Sequence, residues 1–411
     1  MPSRGLEMEG VPIMLLKVPM DEVAARIAAL QRLLQRSDVE AAVIRQNADL
    51  FYFTGTVQDA HLIVPAEGQP VFLVKRDVRR AESQSPIRPV VPISTVRDLP
   101  RWLFEACGTD SVVRIGMELD VLPTNTFFFY DERLFPRQQI VDVSGLIRQV
   151  RMVKSPWEID MMRGAARISR AVADAVPCLL KEGMRELELS IELERVARLA
   201  GHLGLIRLRA FNMDMYFGHV LSGPEAAVPS YADAPTGGEG LSAAFGQGPG
   251  TRRIRAGEIV SVDTMMNYNG YLNDQTRNFC IGRPPEKLLE AYAFVREVHA
   301  RFADGARPGA VTGELYASVL QWVREAGWGE CFMGHGETRV SFVAHGLGIE
   351  VDELPFVAQG QKLVLEEGMT FAFEPKLILP GEGIVGLENT YLVTSTGLES
   401  LNSATEELLV L

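Results

Sequence analysis

The sequence predicts an α/β domain over residues 1–150 and an α+β domain over residues 151–411. Three observations carry this. Across the first 150 residues, short apolar runs of strand length alternate with helical periodicity. At the boundary, Ser155-Pro156-Trp157-Glu158 is a helix start, with Ser at the N-cap, Pro at the first helical position and Glu at the third. Beyond it, helices come first and hairpin patterns follow, the order of an α+β domain.

The elements follow in turn. Residues 20–36 (MDEVAARIAALQRLLQR) carry Val, Ile and Leu at helical spacing. Residues 40–45, 61–64 and 71–75 read as strands, with Glu67-Gly68 as a turn, and 114–117 and 139–143 as later strands of the same sheet. In the second domain, helices are expected from Ser155 to about Leu180 and over 186–200. Residues 232–250 are dense in Gly and Ala and read as a loop. Strands begin near Glu258, helices follow at 285–303 and 312–325, and 340–349 and 369–393 are β-rich.

Composition narrows the function. The chain has 411 residues, 41 Lys+Arg and 53 Asp+Glu, a formal charge of −12. A surplus of acid disfavours phosphate-backbone binding, so no nucleic-acid partner is expected. With 47% hydrophobic and 23% charged residues the chain is neither disordered nor fibrous. The four Cys have no CxxC pair, which suits a reducing compartment better than a disulfide framework. The opening MPSRGLEMEG and the apolar VPIMLLKV after it are too short and too poorly flanked for a signal peptide. No run approaches the roughly 20 apolar residues of a membrane span. A cytoplasmic protein without a membrane partner is the expectation.

The chemistry lies in paired carboxylates. Asn269-Gly270 between two β-prone runs is a hairpin signal. A two-residue turn there sets Asp263 opposite Thr276 and Asp274 opposite Met265, so the two Asp share one face as a diagonal pair. Like charges so placed repel unless a cation lies between them; two surface Asp on an exposed face is the other reading of this segment. In the second hairpin, Pro380-Gly381-Glu382-Gly383 is the turn and Glu374 opposes Glu388. Their neighbours Phe373, Leu387, Tyr391 and Leu392 indicate a packed sheet, where two facing carboxylates need a partner. Between the hairpins, His345 is followed by Gly346 and Gly348. One imidazole with four carboxylates suits a pair of first-row divalent ions, such as Mn, Co, Fe or Zn, better than a structural zinc.

Taken together, these motifs resemble the creatinase/aminopeptidase P/prolidase family, with its pita-bread fold. The likeness rests on an Asp–x10–Asp hairpin ending in Asp274-Gln275-Thr276-Arg277, then His345-Gly346-Leu347-Gly348, then Glu374-Pro375, then Glu388 fourteen residues on. It extends to LFYFTGT at 50–56, similar to the opening of the family's creatinase-type N-terminal domain, and to RMVKS at 151–155 with Glu158, similar to its domain junction. The resemblance implies a catalytic domain holding two divalent ions. Asp274 and Glu388 would bridge them, Asp263 would complete one shell, and His345 with Glu374 the other. Glu374 would also take and return a proton, with Thr276 and Arg277 orienting the carboxylates. A homodimer is implied as well.

The pattern also departs from the family. There is no His between 220 and 262, where the peptidases carry one; Pro229-Ser230-Tyr231 is the nearest echo. Seven residues after His345, where they carry another, stands Asp352. An anionic Asp352 cannot donate to an oxyanion unless protonated; in a non-peptidase on the same fold it would act as a base instead. Gly386 stands where many prolidases have an Arg. His219 is a candidate substitute for the missing His. His335, Arg209 and Arg339 are weaker candidates; Met213 and Met215 are read as ordinary core ahead of the alternative, the lining of an apolar pocket; and His61, His202 and His299 are read as structural or surface. The expected function is a metal-dependent hydrolase of small peptides or amides. The competing readings are a non-peptidase on the same fold, acting on a C–N or C–S bond, and a metal-poor binding protein.

Overall fold

A computed structural model describes residues 16–411. The reading of the opening residues as no signal peptide therefore lies, up to residue 15, outside the described residues. Among the described residues the chain forms two compact units. One ends at Arg151 and also holds Arg209–Asn212; the other holds Met152–Leu208 and Met213–Leu411.

The first unit contains α1 (Met20–Arg36), β1 (Ala41–Ile44), α2 (Asn47–Thr54), β2 (Ala60–Pro65), β3 (Val71–Val74), α3 (Val78–Gln84), β4 (Val90–Pro92), α4 (Leu99–Cys107), β5 (Arg114–Met117), α5 (Thr124–Phe129), β6 (Gln139–Asp142) and α6 (Ser144–Met152). Its sheet has the order β4-β3-β2-β1-β5-β6. The central β1 runs antiparallel to β2 and parallel to β5. Val43, Ile63, Leu73, Ile115 and Tyr130 are buried in its core.

The second unit opens with α7 (Pro156–Leu179) and α8 (Glu186–Leu199). Strands β7 (Gly218–Ser222), β8 (Ile259–Tyr268) and β9 (Tyr271–Cys280) follow, then α9 (Glu286–Gly305) and α10 (Thr312–Glu325). The remaining strands are β10 (Phe342–Leu347), β11 (Val351–Ala358), β12 (Thr370–Phe373), β13 (Lys376–Leu379), β14 (Gly383–Gly386), β15 (Glu388–Val393), β16 (Leu398–Ser400) and β17 (Leu409–Val410). The main sheet has the order β11-β10-β12-β15-β9-β8-β7. One face is packed by α9 and α10, where Phe302 stacks on Phe373 at 3.8 Å between ring centroids. Among the described residues no helix is long and apolar enough to cross a membrane.

Turn chemistry explains how the two hairpins form. Asn269 and Gly270 both have positive φ (49° and 92°), which joins β8 to β9 by a tight turn matching the strand twist. Asp263 then faces Thr276 and Met265 faces Asp274, the expected register. The second hairpin differs from expectation. It is interrupted at Glu374-Pro375, because Pro has no N–H for the ladder. Thr370–Phe373 stays in the main sheet, with Phe373 opposite Asn389. Beyond the break a separate two-stranded ribbon forms, with Lys376 opposite Gly386. The two ladders share one register, so Glu374 and Glu388 keep the opposing positions expected of them, at the point where the main sheet hands over to the ribbon.

Candidate metal centre

The strands deliver acidic side chains to one buried spot. Asp263 comes from β8, Asp274 from β9, His345 from β10 and Glu388 from the start of β15, with Glu374 just after β12. One donor atom from each of Asp274, His345 and Glu388 lies within 4.8 Å of the others. His345 Nε2 is 3.6 Å from Glu374 Oε1 and 3.9 Å from both Asp274 Oδ2 and Glu388 Oε1. These separations are too long for hydrogen bonds. They suit donors that each reach roughly 2.0–2.2 Å to a shared cation.

Asp263 lies on the other side of the site, and there a cation is already present. Lys376 Nζ is 2.8 Å from Asp263 Oδ2, 2.7 Å from Glu374 Oε2 and 3.5 Å from Glu388 Oε2. The electrostatics follow this division. Burial and the neighbouring Glu388 and Asp263 push the Asp274 carboxyl well above the usual range. Burial, with Asp263 and Glu374 beside it, pushes Glu388 up to about 8 against the pull of Lys376. Burial would raise Asp263 too, but Lys376 and His219 outweigh it and hold it low. Burial would lower Lys376; Asp263, Glu374 and Glu388 together hold it well above its usual value. The Asp274–Glu388 side thus crowds carboxyls whose charged forms lack a sufficient counter-ion, whereas Lys376 supplies one on the Asp263 side. The donor set fits a divalent ion among Asp274, His345 and Glu388.

Neighbouring groups fix the donors. The Thr276 hydroxyl donates to Glu388 Oε2 at 2.7 Å. Arg277 was expected to orient the carboxylates, but its guanidinium instead donates to the backbone carbonyls of Thr276 and Glu388, both at 2.8 Å, and to Asn389 Oδ1. The His299 Nε2–H donates to the Leu387 carbonyl at 2.7 Å, beside Glu388. Asp352, in a left-handed backbone conformation with φ 64°, places Oδ1 3.4 Å from His345 Nδ1. It stands behind the imidazole, on the nitrogen facing away from the carboxylates.

A cavity opens on this centre. His219 lines it, opposite Asp263 in the β7–β8 ladder, with Tyr216 beside it. Met213 and Met215 line it as well, where ordinary core was expected. The weaker candidates lie elsewhere. Arg209 pairs with Asp49 and Asp120 at 2.7 Å within the first unit. His335 is exposed in a short turn, and Arg339 caps the backbone carbonyls of Gly336 and Gly329. His61, His202 and His299 are buried. Lys376 is the residue that sequence reasoning missed. Its signal is a pair: a Lys right after Glu374-Pro375, and a Gly at 386 across the ribbon.

Known proteins are similar to this chain over most of its length. The pattern of metallopeptidase family M24 matches residues 160–395, and that of the creatinase/prolidase N-terminal domain matches 26–153. The chain belongs to metallopeptidase family M24. A probable dipeptidase PepE of Mycobacterium tuberculosis is 30% identical over 401 residues, covering 94% of this chain and 96% of that one. An Xaa-Pro dipeptidase of Pyrococcus furiosus is 24% identical over 93% of this chain and 99% of its own length. Among solved structures, an Xaa-Pro dipeptidase from Bacillus anthracis superposes with a TM-score of 0.80, at 25% identity over 95% of this chain and 100% of that one. The pita-bread fold expected of the second unit is thus the fold of this family, and the protein is an enzyme of the metallopeptidase kind.

Proposed function

We propose that this protein hydrolyses small peptides at an Xaa-Pro bond, in a reaction that depends on a divalent ion held by Asp274, His345 and Glu388. The observation that carries the reading is the convergence of those three side chains at the floor of a cavity. Imidazole with carboxylates suits Mn, Co, Fe or Zn. The bound ion supplies Lewis acidity toward a carbonyl and a lowered pKa for water. The chain's own residues do the rest. Glu374, whose Oε2 is held by Lys376 at 2.7 Å, keeps Oε1 for the proton that passes from water to the leaving amine. Asp352 positions the His345 ring, and His219 stands beside Asp263 as a polar contact for substrate. Met213, Met215, Phe342 and Val351 give the cavity apolar walls for the residue side chains.

A second reading has one observation in its favour. The carboxylate of Asp352 stands where peptidases of the family carry a histidine, which suits a non-peptide bond whose cleavage needs a base there in place of an oxyanion donor. A homodimer in a reducing, cytoplasmic setting completes the proposal; exposed Phe128, Phe129 and Phe211 and the free state of all four cysteines support it. Turnover of a dipeptide and tripeptide library by metal-replete protein tests the peptidase reading. Hydrolysis of an Xaa-Pro dipeptide is expected, with kcat/KM lowered by at least about 100-fold in Asp274→Asn. Inert peptides alongside an active non-peptide amide favour the second reading.

A further inference from the structure

We propose that Lys376 replaces one of the two cations of this centre, so that the site takes a single divalent ion. The inference rests on the metal-dependent reading above and specifies its stoichiometry. Three observations carry it.

The first is position. The ammonium lies among Asp263, Glu374 and Glu388 at 2.8, 2.7 and 3.5 Å. An ion bound by the same oxygens needs contacts of roughly 2.0–2.2 Å and therefore the same volume. Ammonium and ion exclude each other there.

The second is how the side chain gets in. Lys376 faces Gly386 across the ribbon. A Cβ on residue 386 would lie 2.5 Å from Lys376 Cγ and 3.4 Å from its Cβ and Cδ. The absence of a side chain at 386 leaves room for the lysine stem, so Lys376 and Gly386 form one device. The side chain is only 4% exposed.

The third is the remainder. With Asp263 and one oxygen each of Glu374 and Glu388 engaged by the ammonium, Asp274, His345 and the other oxygen of Glu388 still converge on one point. One cation position is filled by the chain, and one is left for an ion.

The replacement has a chemical consequence. An ion at the Asp263 position presents an open coordination site. A lysine ammonium presents only N–H donors and holds Asp263 and Glu374 in place permanently, since no chelator removes it. Substrate atoms on that side meet a hydrogen-bond donor instead of a Lewis acid.

Metal stoichiometry tests the proposal. Full-length protein is stripped, titrated calorimetrically with Mn²⁺ or Co²⁺ and assayed by elemental analysis. The wild type is expected to bind one equivalent and Lys376→Ala two. At saturation, wild-type Mn²⁺ should give the six-line paramagnetic resonance spectrum of an isolated ion, and the variant an exchange-coupled pair. Two equivalents or a coupled spectrum in the wild type overturn the role of Lys376 while leaving the metal-dependent reading intact. A folded Lys376→Ala that still binds one equivalent overturns it too. No binding by the wild type overturns the metal-dependent reading itself and the one-ion site with it. If Lys376→Ala does not fold, the wild-type stoichiometry and spectrum decide alone.

Discussion

Glu388 owes its position to residues that never reach the cavity, and His299 is the clearest of them. Its Nε2–H holds the Leu387 carbonyl at 2.7 Å, and its ring lies edge-on to Phe373 at 4.7 Å. Burial, with Arg277 nearby and against the Leu387 bond, lowers its pKa from 6.5 to about 3. The unfolded chain therefore binds a proton below pH 6.5 that the folded chain refuses. The stability this residue contributes is complete above pH 6.5 and falls as the pH drops toward 3, by about 1.4 kcal/mol per pH unit. Urea unfolding of the wild type and His299→Gln between pH 6.5 and 5 checks this. The variant should show a shallower acid dependence by up to one proton, and identical slopes would contradict it. At this scale the convergence of Asp263, Asp274, Glu374 and Glu388 with His345 was legible, because carboxylates on a packed strand require a partner and the spacing places them together. Lys376 was not. A lysine after Glu-Pro is ordinary by itself, and only the ribbon register reveals that Gly386 makes space for it.

A buried contact ties the start of α7 to the hairpin that carries Asp263 and Asp274. Ser155 and Glu158 form a capping box at the start of α7, with Ser155 Oγ accepting from the Glu158 amide and Glu158 Oε2 accepting from the Ser155 amide. The other oxygen of Glu158 accepts from the buried Tyr271 hydroxyl at 3.0 Å. A helix cap thereby fixes the hairpin that carries Asp263 and Asp274. Ser155→Ala should cost about 1 kcal/mol in denaturant unfolding. Glu158→Ala should cost roughly 0.5–1.5 kcal/mol more, because it also removes the bond from the Tyr271 hydroxyl, and in a Tyr271→Phe background that excess should shrink. Equal losses for Ser155→Ala and Glu158→Ala would show that the Tyr271 contact contributes nothing. The cap and the Asn-Gly turn were legible because local residues dictate both. The division of the second hairpin was hidden, although its register was countable. One missing N–H at Pro375 interrupts the ladder, and the turn residues at 380–383 contain no sign of it. That interruption brings Glu374 and Lys376, two residues apart, into one site.

On the scale of the molecule, the acidic surplus separates into surface and interior. The formal −12 includes Asp263, Asp274, Glu374 and Glu388, buried or nearly so around one centre. Two ions would offset those four carboxylates with four charges. Lys376 is already counted among the 41 cations, so with one ion the net charge changes by only about two. The domain order was legible because strand-length runs and helical periodicity alternate on either side of a capped helix. The number of ions was not, because it depends on a side chain reaching across a ribbon. The most direct measurement is anomalous X-ray scattering from a crystal of the full chain soaked in Mn²⁺, recorded at the manganese edge. One peak is predicted, bounded by Asp274, His345 and Glu388, with Lys376 Nζ still between Asp263 and Glu374. Two adjacent peaks, with Lys376 turned out of the centre, would contradict it.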